Sequence, residues 1–72
     1  MRVNAERIIR QREEQGWSQT QLAKEAGVAS GTMSRVERGM EANPATVKRV
    51  ADALGLTVAD IRAPAARVTV AS

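Results

Sequence analysis

The 72-residue sequence contains no cysteine and no histidine, and one tryptophan is its only aromatic residue. Without cysteine, the chain forms no disulfide and binds no metal through thiolates. Without histidine, it lacks the usual general base near neutral pH and the commonest metal ligand. Glu13 and Glu14 are adjacent carboxylates, but helix neighbours point to different sides and so make a poor catalytic pair. We therefore predict that the protein is not an enzyme, and we expect no cofactor and no metal.

Long apolar stretches are also missing, since no run approaches the roughly 20 residues needed to span a bilayer. No signal-peptide pattern follows Met1, because charged, helix-like sequence begins directly after it. We therefore expect a cytoplasmic protein with no membrane partner. A chain of this length fits one small domain, which buries only roughly 60% of its unfolded surface and should be modestly stable.

The net charge of the sequence is +3 and its pI is about 10.6. This balance permits a nucleic-acid partner but indicates one only weakly. The sequence has no basic tail. Any affinity for DNA must therefore come from the positions of individual cations in the fold.

Capping residues and helix-stopping glycines predict an all-α fold of five short helices. Ser18 with Gln21, and Thr57 with Asp60, both have the spacing of a capping box. No strand signal appears before Val68. The predicted helices, with their caps, are about Asn4 to Glu14, Ser18 to Gly27, Ser30 to Arg38, Asn43 to Gly55 and Thr57 to Arg62.

The second and third predicted helices must meet at a sharp turn, because only one or two residues connect them. Gly27 suits such a turn, since glycine tolerates positive φ. Met33 and Val36 would face the core with Leu22, which leaves the opposite side of the third helix exposed. A helix with small residues at its start and arginines further on fits the DNA major groove. The residues expected on that side are Ser30, Gly31, Ser34, Arg35 and Arg38.

Four segments within residues 8–61 carry a resemblance to a known family: GWSQ at 16–19, LAKEAGV at 22–28, TMSRVERG at 32–39 and LGLT at 54–57. They resemble the Cro and phage-repressor family of helix-turn-helix proteins, often called the Xre type. The resemblance implies a compact five-helix DNA-binding domain, here residues 1–63, with its helix-turn-helix at 18–39. The second helix would support the third, which enters the major groove.

The same resemblance implies roles for individual residues. The positions that match base-contacting residues of the family are Ser30, Gly31 and Arg35. The positions that match phosphate-contacting residues are Gln19, Ser34 and Arg38. Arg12 and Glu37 match a structural ion pair between the first and third helices.

Several of these roles have a plainer alternative. Arg35 and Arg38 are otherwise solvated arginines on a polar face, and Gln19 is otherwise a first-turn residue with no further role. Ser30 either contacts a base or caps the third helix, because Ala29 caps poorly. Gly31 has no side chain to bond a base, and it would instead let the helix lie close to the DNA.

The residues and the resemblance together predict a sequence-specific transcriptional regulator, a repressor that binds a palindromic operator in double-stranded DNA as a homodimer. The alternative is a protein-interaction module, such as an antitoxin whose partner is a toxin. The tail at residues 64–72 contains Val68, Thr69 and Val70, which favour an extended chain. It is either a dimerisation strand or a frayed terminus. Dimers of the family also form through the fourth and fifth helices.

Overall fold

The computed structural model describes residues 1–63, which form five α-helices in chain order. The prediction of an all-α, five-helix domain is confirmed. The dimerisation strand expected within residues 64–72 lies outside the described residues. The helices are α1 (Ala5–Glu14), α2 (Gln19–Ala26), α3 (Ser30–Glu37), α4 (Pro44–Leu54) and α5 (Val58–Ile61).

All five helices contribute to one apolar core. Helix α2 packs against both α3 and α4, while α1 packs against α3, α4 and α5. Trp17 packs against this core but is only partly buried. Fully burying each large aliphatic side chain contributes roughly 1.5–3 kcal/mol. The buried side chains are Val3, Ile8, Leu22, Ala23, Ala26, Met33, Val36, Val47, Val50, Ala51, Leu54 and Ile61.

Residues 27–29 connect α2 to α3 through the sharp turn that the sequence predicts. Gly27 is the C-cap of α2 and has a left-handed backbone, with φ of 72°. The N–H of Val28 then donates to the carbonyl of Ala23 at 3.0 Å. Ala23 is small and buried, which allows close packing of the two helices at the corner. Together these residues set the angle at which α3 leaves α2.

The two predicted capping boxes differ in outcome. In α5, Asp60 accepts from the Thr57 N–H at 2.9 Å, and the Thr57 hydroxyl accepts from the Asp60 N–H at 3.2 Å. In α2, the Ser18 hydroxyl accepts from the Gln21 N–H at 3.1 Å, but the Gln21 side chain does not complete the box. Its Nε2 instead donates to Glu25, one turn further on, at 2.7 Å, an i,i+4 pairing that holds the side chain along the helix.

An extended segment before α1 ties the ends of the domain together, which no pattern in the sequence predicts. Val3 and Arg62 form an isolated antiparallel bridge. On either side of the bridge, the Asn4 N–H donates to the Ile61 carbonyl and the Ala63 N–H to the Arg2 carbonyl. A single bridge needs no run of β-forming residues, so it leaves no periodic signal.

The α5 capping box makes stability depend on pH. The hydrogen bond from the Thr57 N–H holds the pKa of Asp60 below its usual range. Because the folded-state pKa is the lower one, this stabilisation is present above the unfolded-state pKa of about 3.9 and is lost as pH falls through the folded value. We predict that Asp60→Ala lowers the melting temperature at pH 7 and that this difference shrinks below about pH 4.

Thermal melts between pH 7 and pH 3 measure the effect. Glu13→Ala is the matched control, because it removes an exposed carboxylate from the last turn of α1 without removing a cap. The control should lower the melting temperature less than Asp60→Ala at pH 7. A loss for Asp60→Ala that stays constant down to pH 3 would contradict the assigned role of the carboxylate.

Candidate nucleic-acid interface

Helix α3 divides into a buried side and an exposed side. Met33 and Val36 are fully buried. The residues of α3 and its C-cap with expected DNA contacts lie away from this buried side. Their helical spacing places them together on one surface. Ser30, Gly31, Arg35 and Arg38 are exposed and Ser34 is half-buried. The sequence predicts that the helix includes Arg38. In the structure the helix ends at Glu37, and Arg38 is its C-cap.

The N-terminus of α3 has no side-chain cap. Ala29 is the N-cap and supplies no hydrogen-bonding atom, while Ser30 is the first helical residue. The alternative in which Ser30 caps the helix is therefore wrong, because an N-cap residue must lie outside the helix with an extended backbone. Ser30 remains on the exposed surface, next to backbone N–H groups that no side chain satisfies.

Nothing in the structure of the described residues requires a glycine at position 31. Its φ is not positive, and a Cβ added to it would meet nothing within 4 Å. Glycine inside a helix is less favourable than alanine by roughly 0.8–1 kcal/mol. Packing does not explain this cost. A position with no side chain on an exposed helix instead allows a ligand to approach the backbone closely.

Arg12 and Glu37 form a bidentate ion pair. Arg12 Nε donates to Glu37 Oε2 at 2.8 Å and Nη2 donates to Oε1 at 3.1 Å, while Nη1 donates to the Trp17 carbonyl at 2.9 Å. The side chains of Arg12 and Glu37 are 15% and 5% exposed. This one guanidinium therefore joins α1, the turn before α2 and the end of α3.

Gln19 makes a contact that the sequence does not predict. It is the first residue of α2, and its Nε2 donates to Glu37 Oε1 at 3.2 Å. The two residues are 18 positions apart, so no helix or turn spacing relates them. A side-chain amide nitrogen carries two hydrogens, so one donor remains beyond the bond to Glu37.

The ion pair also determines the charge of the exposed surface of α3. Glu37 is the only acidic residue of α3, and its carboxylate is turned to Arg12 and covered. The exposed side of the helix and its C-cap therefore present Arg35 and Arg38 without an acidic neighbour on the same helix. Such a surface attracts a polyanion more strongly than the net charge of +3 suggests.

A shallow groove of about 230 Å³ extends this surface from α3 to the start of α4. Its acidic member, Glu41, lies against the N-terminal ammonium of Met1 at 2.7 Å. That hydrogen bond and the ammonium charge hold the pKa of Glu41 below its usual range. The residues lining the groove are Thr32, Arg35, Val36, Glu41, Ala42, Asn43 and Thr46.

Within residues 1–63, no group of three or more acidic side chains lies close enough together to hold a metal ion. None of the helices in this part of the chain has the length and apolar character to cross a membrane.

Comparison with known proteins agrees with this geometry. The model of a helix-turn-helix family, of the Cro/C1 type, matches residues 8–61, which is more than half of the chain. Among solved structures, the chain is similar to one from the SinR protein/SinI protein complex, with a TM-score of 0.70 and 34% sequence identity. The similarity covers 79% of this chain but only 57% of that one, so this chain spans little more than half of its structural relative. No curated protein sequence matches the chain.

The covered ion pair predicts an unequal response to the loss of two carboxylates. We predict that Glu37→Ala lowers the free energy of unfolding by about 3–5 kcal/mol, because it leaves the guanidinium of Arg12 largely buried without its partner. Glu41→Ala is the control and should cost far less, since its carboxylate is 74% exposed and surface pairs contribute little. Urea unfolding of the two variants and the parent measures this. Equal unfolding midpoints for the two variants would show that the Arg12 pair contributes no more than a surface contact.

Proposed function

The chain belongs to the Cro/C1-type helix-turn-helix family, and we propose that it is a sequence-specific transcriptional repressor that binds a palindromic DNA operator as a homodimer. Family membership and the similar chain of the SinR protein/SinI protein complex support a DNA-binding regulator of the Xre type. The observation that carries the proposal is the exposed side of α3. It offers two arginines and small residues, while the only acid of the helix is turned inward to Arg12.

In this proposal α3 lies in the major groove, which is wide enough for a helix. Arg35 donates to the O6 and N7 atoms of a guanine, the pairing that its planar guanidinium fits best. Ser30 contacts a neighbouring base edge, and Gly31 lets the first turn of α3 approach the bases. Because Gly31 offers no side chain, direct base contacts are few, and part of the specificity comes from the shape of the DNA.

Phosphate contacts fix the orientation of the domain on the duplex. We assign them to Gln19 at the start of α2 and to Ser34 and Arg38 on α3. The N-terminus of α2 supports the first of these assignments, since helix N-termini favour anions. None of these contacts involves chemistry or a cofactor. The protein acts in the cytoplasm by occupying its operator and excluding polymerase.

A dimer follows from the small number of contacts that one such domain makes. Two copies related by a dyad would place their α3 helices about 34–36 Å apart, one turn of the double helix. We assign DNA binding to residues 1–63, and the dimer contact either to α4 and α5 or to residues 64–72.

A protein-interaction module, such as an antitoxin, is the second candidate function. The similar solved chain comes from a complex of two proteins, which favours a protein partner for this chain as well. The two functions are compatible when the partner binds a surface other than that of α3. A chain that acts only through a protein partner would select no DNA sequence.

Selection of bound sequences from a random pool of double-stranded DNA tests the proposed function. We expect an inverted repeat whose half-site centres lie about 10 base pairs apart. Enrichment of a single, unrepeated site would contradict the homodimer. No enrichment would contradict sequence-specific binding and favour the protein-interaction module.

Replacement of Arg35 tests whether this residue determines sequence specificity. Arg35→Ala should weaken binding to the selected operator by roughly 1–3 kcal/mol and relax the preference at one base pair per half-site, because a base contact is lost while phosphate contacts remain. Fluorescence anisotropy with the operator and with single-base variants measures both effects.

Arg38→Ala is the matched control, since it removes the same charge from the same region of the surface. It should weaken binding to operator and random DNA alike, and reduce the salt slope by about 1 per subunit. Equal weakening on both DNAs by Arg35→Ala would show that Arg35 contacts phosphate instead of a base.

A further inference from the structure

The contact between Gln19 and Glu37 links the covered ion pair to the surface proposed to bind DNA. Gln19 Nε2 donates to Glu37 Oε1 at 3.2 Å, and the same oxygen accepts from Arg12 Nη2 at 3.1 Å. We propose that Glu37 is a positioning residue for DNA binding: it holds the Gln19 amide in place so that the remaining N–H bonds a DNA phosphate. This inference rests on the proposed function and names a residue that acts on it indirectly.

The carboxylate of Glu37 is itself held firmly. Both of its oxygens accept from the Arg12 guanidinium, in a bidentate geometry that fixes the plane of each group. The Glu37 side chain is 5% exposed, so water does not compete freely for it. An acceptor fixed in this way restricts the rotation of the amide that donates to it.

The charge of Glu37 is compatible with a phosphate nearby only because Arg12 is bonded to it. An isolated carboxylate beside Gln19 would repel the phosphate that Gln19 is proposed to bind. The guanidinium of Arg12 balances that charge within hydrogen-bonding distance. In the triad of Arg12, Glu37 and Gln19, the Glu37 carboxylate therefore accepts from donors of the protein itself. The uncharged Gln19 amide is the donor that remains for DNA.

Preorganisation explains why such a triad would increase affinity. A glutamine side chain loses considerable rotamer freedom when it is fixed. If Glu37 already holds Gln19 in the free protein, DNA binding does not have to supply that ordering. The start of α2 adds to the effect, because Ser18 caps the Gln21 N–H and leaves the Gln19 and Thr20 N–H groups for an anion.

The test compares the loss caused by Gln19→Ala in two backgrounds, the natural pair and Arg12→Met with Glu37→Met. The methionine pair keeps the net charge of the chain, and replacing such ion pairs with apolar residues often leaves stability unchanged. We expect Gln19→Ala to weaken operator binding about tenfold in the natural background, as for one charge-assisted hydrogen bond. In the methionine background the loss should fall to less than about twofold. The salt slope should be the same in all four proteins, since none differs in net charge.

Losses that are equal in the two backgrounds would overturn the proposal, because Gln19 would then act independently of Glu37. Circular dichroism first establishes that each protein is folded at the assay temperature. If the methionine variant does not fold, the natural protein still decides the question by NMR of its side-chain amides. The Gln19 amide should already be ordered without DNA, whereas Gln11, which has no side-chain hydrogen bond within residues 1–63, should be mobile. A Gln19 amide as mobile as that of Gln11 would overturn the proposal.

Failure of the inference and failure of the proposed function give different results. If the natural protein selects and binds an operator but the losses are equal, only the role of Glu37 is overturned. If the natural protein binds no DNA at any salt concentration, the proposed function fails and the positioning role fails with it.

Discussion

The structure depends on the bonds of one guanidinium. Arg12 donates to both oxygens of Glu37 and to the carbonyl of Trp17, which directly precedes the cap of α2. Two charges that are largely withdrawn from water are stable only while they remain together and hydrogen-bonded. That requirement makes α1 a fixed support for the helix-turn-helix. The end of α3 cannot leave α1 without separating the charges, and the start of α2 cannot leave it without breaking the bond to Trp17. The apolar core supplies most of the stabilisation, and the ion pair sets the relative position of the helices.

The same ion pair explains how a chain with a small net charge presents a cationic surface. A net charge of +3 on 72 residues is modest for a protein that is proposed to bind a polyanion. The fold compensates by placement, because Glu37 is turned to Arg12 and Glu41 is bonded to the ammonium of Met1. Two acidic side chains near the exposed side of α3 are thus paired with cations, while Arg35 remains exposed on it.

The helices were predictable because local chemistry determines their ends. Asn4, Asn43 and Thr57 cap helices through bonds to neighbours two or three residues away, and such spacing is visible in sequence. The surface of α3 was predictable for the same reason, since helical periodicity separates Met33 from Arg35.

Contacts between distant segments were harder to predict from the sequence. The bond from Gln19 to Glu37 has no characteristic spacing, and the Val3–Arg62 bridge is too short to leave a pattern. The half-formed box at Ser18 shows competition, since the Gln21 side chain pairs with Glu25 along the helix and not with the Ser18 N–H. The pairing of Arg12 with Glu37 came only from the family resemblance.

The open space at Gly31 has a consequence for how the protein can change over evolutionary time. Most mutations in a small domain reduce stability, and so restrict which new specificities a lineage can reach. At Gly31 an added Cβ would meet no atom of the rest of the described chain within 4 Å, and the backbone conformation does not require glycine. Replacement of this helical glycine by most other residues would also raise the helix propensity at this position. Under the proposed function, a mutation there can add a base contact without a clash at its Cβ, so the preferred operator could drift while the scaffold stays intact.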